Sequence, residues 1–473
     1  MVNNASIFLH RPSAGCQVWT LAFEGVFQAP IAGDVMMQVI VPFVVLVSGL
    51  WAWNLFAGPG AGSAWAVYDQ SLLLSGLLSI ALMSLTMMLA LRPAWLERPL
   101  GGLDQIYRTH KWAGILAVVF AAVHWLIEMG DDVIESIFGK AGKLHDQDYS
   151  GFIDTMRDAA EEVGEFAVYL LFAMLLITLW RKFPYKYWRY LHRGMPALYL
   201  LLAFHAAWLT PLQWWQQPIG VLMAILLFGG SIASGLSLAG RIGRRRQVRG
   251  TVTAIKTPDQ DVTEITCHMG PAWRGHRAGQ FAFVTFNRIE GAHPFTIASA
   301  DRENGTVTFI IKSLGDFTRN LSQKIRVGQT VKIEGPYGCF NFDRRNRKSH
   351  QIWIAGGIGI TPFLAWLEAL SSAPTATVPD ADLHYCTRNA SQDPMVDRLR
   401  ELCSDFPGIH LLIHDSSKGQ ALSTQKLSTS DRSAAKAEVW FCGPAGLGQA
   451  IRKSLRTAPF RLARFHKEAF QFR

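Results

Sequence analysis

The stretch RTHKWAGILAVVFAAVHW, residues 108–125, carries a histidine near each end of an otherwise almost wholly apolar run. A second stretch, LHRGMPALYLLLAFHAAW, residues 191–208, repeats the pattern with His192 and His205. Ionisable side chains inside a bilayer are costly, so those that persist there mark function. One histidine near a helix end reads as an interfacial residue; two pairs on two helices do not. His110 and His124 are fourteen residues apart. On a helix that is roughly 21 Å, and fourteen steps of about 100° bring both to within roughly 40° of one face. His192 and His205 are thirteen apart, out of helical phase. Gly194 and Pro196 follow His192, and a proline pushes the residue before it out of helical geometry. His192 is therefore expected on a non-helical lead-in.

Working outward, the chain divides sharply. Its 473 residues are 49% hydrophobic and 17% charged, but the apolar residues concentrate in the first half. Hydrophobic runs of about 18 or more residues are candidate membrane spans. Six are counted, at about 34–57, 70–91, 111–128, 163–180, 195–210 and 218–239. Basic residues mark alternate loops: Arg92, Arg98, Arg108 and Lys111; Arg181, Lys182, Lys186, Arg189 and Arg193; and RIGRRRQVR after the sixth run. The loop at 129–162 is acidic. The positive-inside rule then places the N-terminus, the basic loops and the C-terminal half in the cytoplasm of a multi-pass protein of the cell (inner) membrane. Basic loops beside anionic lipid account for much of the net charge of +10, so no nucleic-acid partner is needed. Six cysteines without a CxxC pair predict neither disulfides nor a zinc site. Nothing in the sequence sets an oligomeric state.

The third and fifth runs cross in the same direction. His110 and His192 thus share the cytoplasmic level, and His124 and His205 the outer one. Two imidazoles from two helices at each level is the arrangement that clamps a haem iron from both faces. Two b-type haems are expected, with Arg92, Arg108, Lys111, Arg189 and Arg193 available to the inner propionates. The outer side offers no obvious arginine.

Residues 246–346 alternate short β-patterned runs with turns, which predicts a small antiparallel barrel. It contains HPFTIAS (293–299) and KSLGDFT (312–318). Residues 348–473 alternate strands and helices, as in a doubly wound nucleotide-binding domain. There QIWIAGG runs into GIGITPFLAWLEAL. Gly356, Gly357 and Gly359 let backbone approach a phosphate, Thr361 is placed to cap the helix, and Pro362 suits its first turn. The expected architecture is multidomain: a segment 1–33, an all-α six-helix transmembrane bundle over 34–240, the β-barrel, and the α/β domain.

In this order the motifs resemble the NADPH oxidase and ferric reductase superfamily, with a soluble half similar to ferredoxin-NADP reductases. The likeness rests on the two histidine pairs, HPFT, GGIGITPF, FCGP and the C-terminal FHKEAF. It implies that His293, Pro294, Phe295, Thr296 and Ser299 line FAD, and that Lys312, Gly315 and Thr318 lie near its pyrophosphate. It also implies that Cys442, Gly443 and Pro444 stand beside the nicotinamide and that Phe470 shields the flavin. Phe472 is a rival for that last role. Arg388, after the second strand of the last domain, suits the 2′-phosphate of NADPH, although NADH is possible.

The reading is a flavocytochrome b that carries electrons from NADPH through FAD and two haems to a small external acceptor. Ferric chelates, oxygen, and a periplasmic protein or quinone compete as that acceptor. From a different class, a proton channel would also use intramembrane histidines.

Overall fold

The computed structural model describes residues 35–56, 63–140, 143, 151–180, 183, 185–287, 289–315, 317–346, 348–372, 378–422, 427, 436–455 and 461–468. The N-terminal segment 1–33, Arg181, Lys182, Phe470 and Phe472 lie outside them.

The first half is helical. Its long helices are α1 (Val35–Phe56), α2 (Ala64–Ala90), α3 (Leu103–Glu128), α4 (Phe152–Leu179), α5 (Met195–Leu209) and α6 (Pro218–Leu238). The Ser63 side chain accepts the Ala66 N–H at 3.1 Å and starts α2, as an N-cap should. Four of the six, α1, α2, α3 and α6, are long and apolar enough to cross a membrane. The other two depart from that test for physical reasons. With 15 residues, α5 reaches about 22 Å at about 1.5 Å per residue, short of a bilayer core of about 30 Å. The first turns of α4 carry Asp154, Arg157, Asp158, Glu161 and Glu162.

α2 is the hub of the bundle. Ser79 donates to the Ala117 carbonyl of α3 at 3.0 Å. Ser84 and the Tyr199 hydroxyl of α5 lie 2.9 Å apart, both buried. Gly230 of α6 makes that possible, because a Cβ there would overlap the Tyr199 phenol.

The second half holds two sheets. One is antiparallel, with six strands in the order β4-β3-β6-β1-β2-β5: β1 (Gln247–Asp259), β2 (Val262–Met269), β3 (Phe281–Thr285), β4 (His293–Thr296), β5 (Thr306–Lys312) and β6 (Thr330–Tyr337). Its two ends meet at a single bridge between Ile297 and Phe309. The other is parallel, with five strands in the order β11-β10-β7-β8-β9: β7 (His350–Gly356), β8 (Ala381–Thr387), β9 (Ile409–Asp415), β10 (Lys436–Cys442) and β11 (Arg461–Glu468). Helices α7 (Thr361–Ser371), α8 (Pro394–Ser404) and α9 (Ala445–Ser454) follow β7, β8 and β10. The chain winds outward from β7 on one side and then returns to the other. The switch point therefore lies between β7 and β10, where open α/β sheets bind ligands.

The two halves are packed together. Phe281, Phe283 and Tyr337 of the antiparallel sheet form one buried cluster with Leu89, Leu100, Leu103 and Ile106 of the helical half. Charges ring that cluster. Arg92 pairs with Glu334 at 2.9 Å and lies over the Phe283 ring, Arg246 pairs with Glu97 at 3.3 Å, and Glu97 accepts the Gly338 N–H at 2.6 Å. Arg92 is held at φ 53, a left-handed conformation that a non-glycine residue keeps only when its surroundings compensate.

Candidate functional site

α3 carries His110 and His124, and each faces a histidine from further along the chain. The His110 and His192 rings are 6.3 Å apart between centroids at 81°; the His124 and His205 rings are 6.3 Å apart at 83°. Three of the four are oriented by backbone carbonyls. Nδ1 of His110 lies 3.0 Å from the Thr86 oxygen, that of His124 3.0 Å from the Leu72 oxygen, and that of His205 2.8 Å from the Ala160 oxygen. Donation from Nδ1 leaves the Nε2 lone pair for a metal. Thr86 and Leu72 are themselves fourteen residues apart on α2, the same interval as the two histidines of α3.

His192 is built differently. It ends a separate short helix, Tyr185–His192, and stacks on Trp188 at 4.8 Å and 17°. The expected non-helical lead-in is thus corrected: a turn at Arg193–Gly194 breaks the helix into two, and His192 answers to the phase of the first piece.

Glycines clear space for the far pair. A Cβ on Gly76 would stand 3.0 Å from His124, and one on Gly164 would overlap the His205 ring. The paired imidazoles fit a haem iron at each level, with three of the four rings oriented by carbonyls and the far pair cleared by glycines.

The cations expected near the inner propionates are partly committed elsewhere. Arg92 belongs to the junction with Glu334. Arg189 reaches the Ile289 carbonyl at 3.4 Å and lies against Gly291, beside the HPFT strand. The sequence reading passed over Arg157, which donates to the Trp208 carbonyl at 2.8 Å. It stands one turn before Ala160 on α4, next to the far histidine pair. Its position is legible only once α4 and α5 are known to pack together.

β4 places the HPFT residues at the edge of the antiparallel sheet. The His293 ring stacks on Phe317 at 4.3 Å and 6°, and on Phe295 at 6.3 Å and 25°. Burial and the Arg189 charge push the His293 imidazole down, which keeps it neutral. Its Nε2 is buried with no hydrogen-bond partner among the described residues. Flat aromatic faces and one open imidazole nitrogen fit a flavin. Pro294 and Thr296 continue the same strand, with Thr296 buried. Ser299 is absorbed by the sheet, where its Oγ accepts the Thr308 N–H at 3.1 Å. Thr318 Oγ accepts the N–H groups of Leu314 and Gly315, each at 3.0 Å, and so shapes the loop that follows Lys312.

At the switch point the glycines divide their work. A Cβ on Gly356 would come within 2.8 Å of Pro444, and one on Gly359 would overlap the Cys442 backbone. These two let β7 and the end of β10 close up, and Gly443 abuts Gly356 in the same way. Gly357, at φ 54, faces open space and is the glycine free for phosphate approach. Thr361 is the first residue of α7 rather than its cap, and donates to the Ile358 carbonyl at 3.1 Å; Pro362 sits in the first turn. Cys442 is fully buried, and burial with the nearby Glu468 charge pushes its thiol well up, so it is neutral. Arg388 is exposed at the end of β8, and its carbonyl accepts the Ser417 N–H at 2.9 Å.

The model of the ferric reductase like transmembrane component matches residues 75–203, and that of an FAD-binding domain matches residues 247–341. The chain is 22% identical over 235 residues to the 2-halobenzoate 1,2-dioxygenase electron transfer component of Burkholderia cepacia, covering 48% of this chain and 68% of that protein. It is 32% identical over 153 residues to the carnitine monooxygenase reductase subunit of Escherichia coli K12, covering 32% of this chain and 44% of the relative. Among solved structures, a ferredoxin NADP+ reductase from Neisseria gonorrhoeae with bound FAD and NADP is 15% identical at a TM-score of 0.40, covering 47% of this chain and 98% of that one. The chain spans about two thirds of the first relative and under half of the second. A match to a ferric reductase like transmembrane component is thus followed in one chain by a match to an FAD-binding domain, an order similar to that of NADPH oxidases and ferric reductases, which are oxidoreductases.

Proposed function

We propose that the chain is a flavocytochrome b of the cell membrane. In this reading it passes electrons from cytoplasmic NADPH, by way of FAD and two b-type haems, to a small acceptor such as a ferric chelate or oxygen at the outer face. The observation that carries the reading is the pair of imidazole levels on one helix, each with rings 6.3 Å apart. When bound, FAD supplies two-electron chemistry and the haems supply one-electron relays.

His110 and His192 would hold the inner haem and His124 and His205 the outer one. At each level two imidazoles of the chain would hold a haem, which would supply one-electron relay chemistry there. Arg157, which donates to the Trp208 carbonyl, would bring positive charge to the outer level. On the cytoplasmic side, His293, Phe295 and Phe317 offer the flavin an aromatic shelf. Gly357 admits the nucleotide phosphates, and exposed Arg388 can meet a 2′-phosphate with a charge-assisted hydrogen bond. Helices α4 and α5 complete a six-span bundle, since each carries one side of the outer histidine site.

The test is anaerobic. Purified protein should show a low-spin b-type spectrum and its haems should be reduced by NADPH, then reoxidised on stopped-flow addition of ferric chelate or oxygen. Colourless protein, or haems that neither NADPH nor NADH reduces, would overturn the reading. Reoxidation only by a quinone or a periplasmic protein would reassign the acceptor.

A further inference from the structure

β11 ends where three parts of the molecule meet. Its last residue, Glu468, is paired with Cys442 at the switch point. The Glu468 carboxyl lies 3.7 Å from where a Cβ on Gly338 would stand, and the Gly338 N–H is held by Glu97 of the helical half. Burial and the Asp104 and Glu97 charges push the Glu468 carboxyl well up. Lys467, just before it, is pushed down by burial and by Arg108 and Arg452.

Something must fix β11 in this register, because a slip of one residue exchanges the faces of every side chain. The ladder itself is interrupted. Ala437 is opposite Leu462 but Glu438 is opposite Arg464, so a bulge leaves Ala463 unpaired. Beyond the bulge, one side chain of β11 is tied down from two directions. His466 Nε2 meets Glu438 Oε1 at 2.7 Å, and the His466 ring stacks on Trp440 at 3.6 Å and 10°. Glu438 is 1% exposed. Its other oxygen accepts the Asn346 N–H at 2.6 Å and Gln351 Nε2 at 3.3 Å. Burial pushes the Glu438 carboxyl up, but the Asn346 N–H, His466 and Gln351 together hold it below the usual range. Asn346 lies in the connection between the two sheets. The lock thus joins that connection, β7, β10 and β11 through one buried carboxylate.

We propose that His466 is a positioning residue for flavin reduction. Locked onto Glu438 and Trp440, it sets where Glu468 stands beside Cys442 at the switch point. The inference rests on the reading of this half as a nicotinamide–flavin reductase. Small displacements at such a site are costly, since a misplacement of about 1 Å can cost about a hundredfold in rate.

The experiment uses the full-length, FAD-loaded protein in detergent and follows anaerobic flavin reduction by NADPH in stopped flow. His466→Ala should lower the rate at saturating NADPH about tenfold, with FAD content and the NADPH concentration for half-maximal rate held within about twofold. His466→Gln keeps a donor toward Glu438 without the ring, and should fall between that variant and the wild type. Glu438→Gln removes the carboxylate that anchors His466, and should lower the rate toward that of His466→Gln. A wild-type rate in His466→Ala would overturn the proposal. So would a loss of rate that tracks FAD loss, or a wild-type rate in Glu438→Gln. A wild-type protein whose flavin neither NADPH nor NADH reduces would instead overturn the functional reading, and this inference with it.

Discussion

The two histidine levels share one geometry and two constructions. Both present rings 6.3 Å apart at nearly right angles. At the far level both histidines belong to long helices, both donate Nδ1 to a helix carbonyl, and a glycine clears the space beside each ring. At the near level only His110 sits on a long helix with its Nδ1 against a carbonyl. His192 rides on a short separate helix and is steadied by the face of Trp188. The far level is cut into the bundle. The near level is closed by a piece that also touches the reductase half, since Arg189 and Tyr190 of the same short helix reach the Ile289 carbonyl. The difference locates rigidity where electrons would leave and adjustability where they would enter.

The comparison can be broken most directly at the far level. His124→Leu should abolish that haem and leave one per chain, with flavin reduction by NADPH intact; a haem assay that still counts two would end the assignment. Gly164→Ala should come next. Its methyl group would overlap the His205 ring, and overpacking of this kind costs about 1–3 kcal/mol. The far haem should be depleted while the near haem persists, as separate redox titration of the two levels would show. Trp188→Ala should be milder. A stacked aromatic pair is worth about 1 kcal/mol, so the near haem should be lost several-fold faster to an apo-globin acceptor, with both levels still filled at equilibrium. Gly76→Ala should be smallest, because its methyl would stand 3.0 Å from His124 and asks for a shift of only a few tenths of an ångström. Haem content equal to the wild type is expected. A loss as large as that of Gly164→Ala would show that clearance does not distinguish the two glycines.

Much of this was legible in the sequence. The fourteen-residue interval on α3 survives in space because a single uninterrupted helix carries both histidines. The apolar runs found the long helices but began three of them late, at 70 against Ala64, 111 against Leu103 and 163 against Phe152. Hydropathy sees the greasy stretch at 111–128, whereas α3 begins at Leu103 and carries Asp104 and Arg108 in its first turns. The glycine loop was found, but its division of labour was hidden. Gly356 and Gly359 answer to the end of β10, more than eighty residues further on, and only Gly357 answers to open space. The same non-locality explains why Arg92 and Arg189 read as haem partners. Arg189 stands three residues before His192 and Arg92 lies in the basic loop before His110, yet both are spent on the other half in space. His466 lies within FHKEAF, but nothing in that motif points to Glu438, so the lock between the two strands is not announced by the sequence.

The seam between the halves has a practical consequence for anyone who wishes to handle the reductase half alone. Phe281, Phe283 and Tyr337 are buried only because Leu89, Leu100, Leu103 and Ile106 cover them. Cut away from the helices, the antiparallel sheet would present three adjacent aromatic rings to water, with the Glu334 carboxylate beside them stripped of Arg92. Exposed apolar patches of this kind drive self-association. The excised half should therefore be poorly soluble, and replacing Phe281 and Phe283, which stand opposite Thr296 and Pro294 of the neighbouring strand, with polar residues should make it monodisperse.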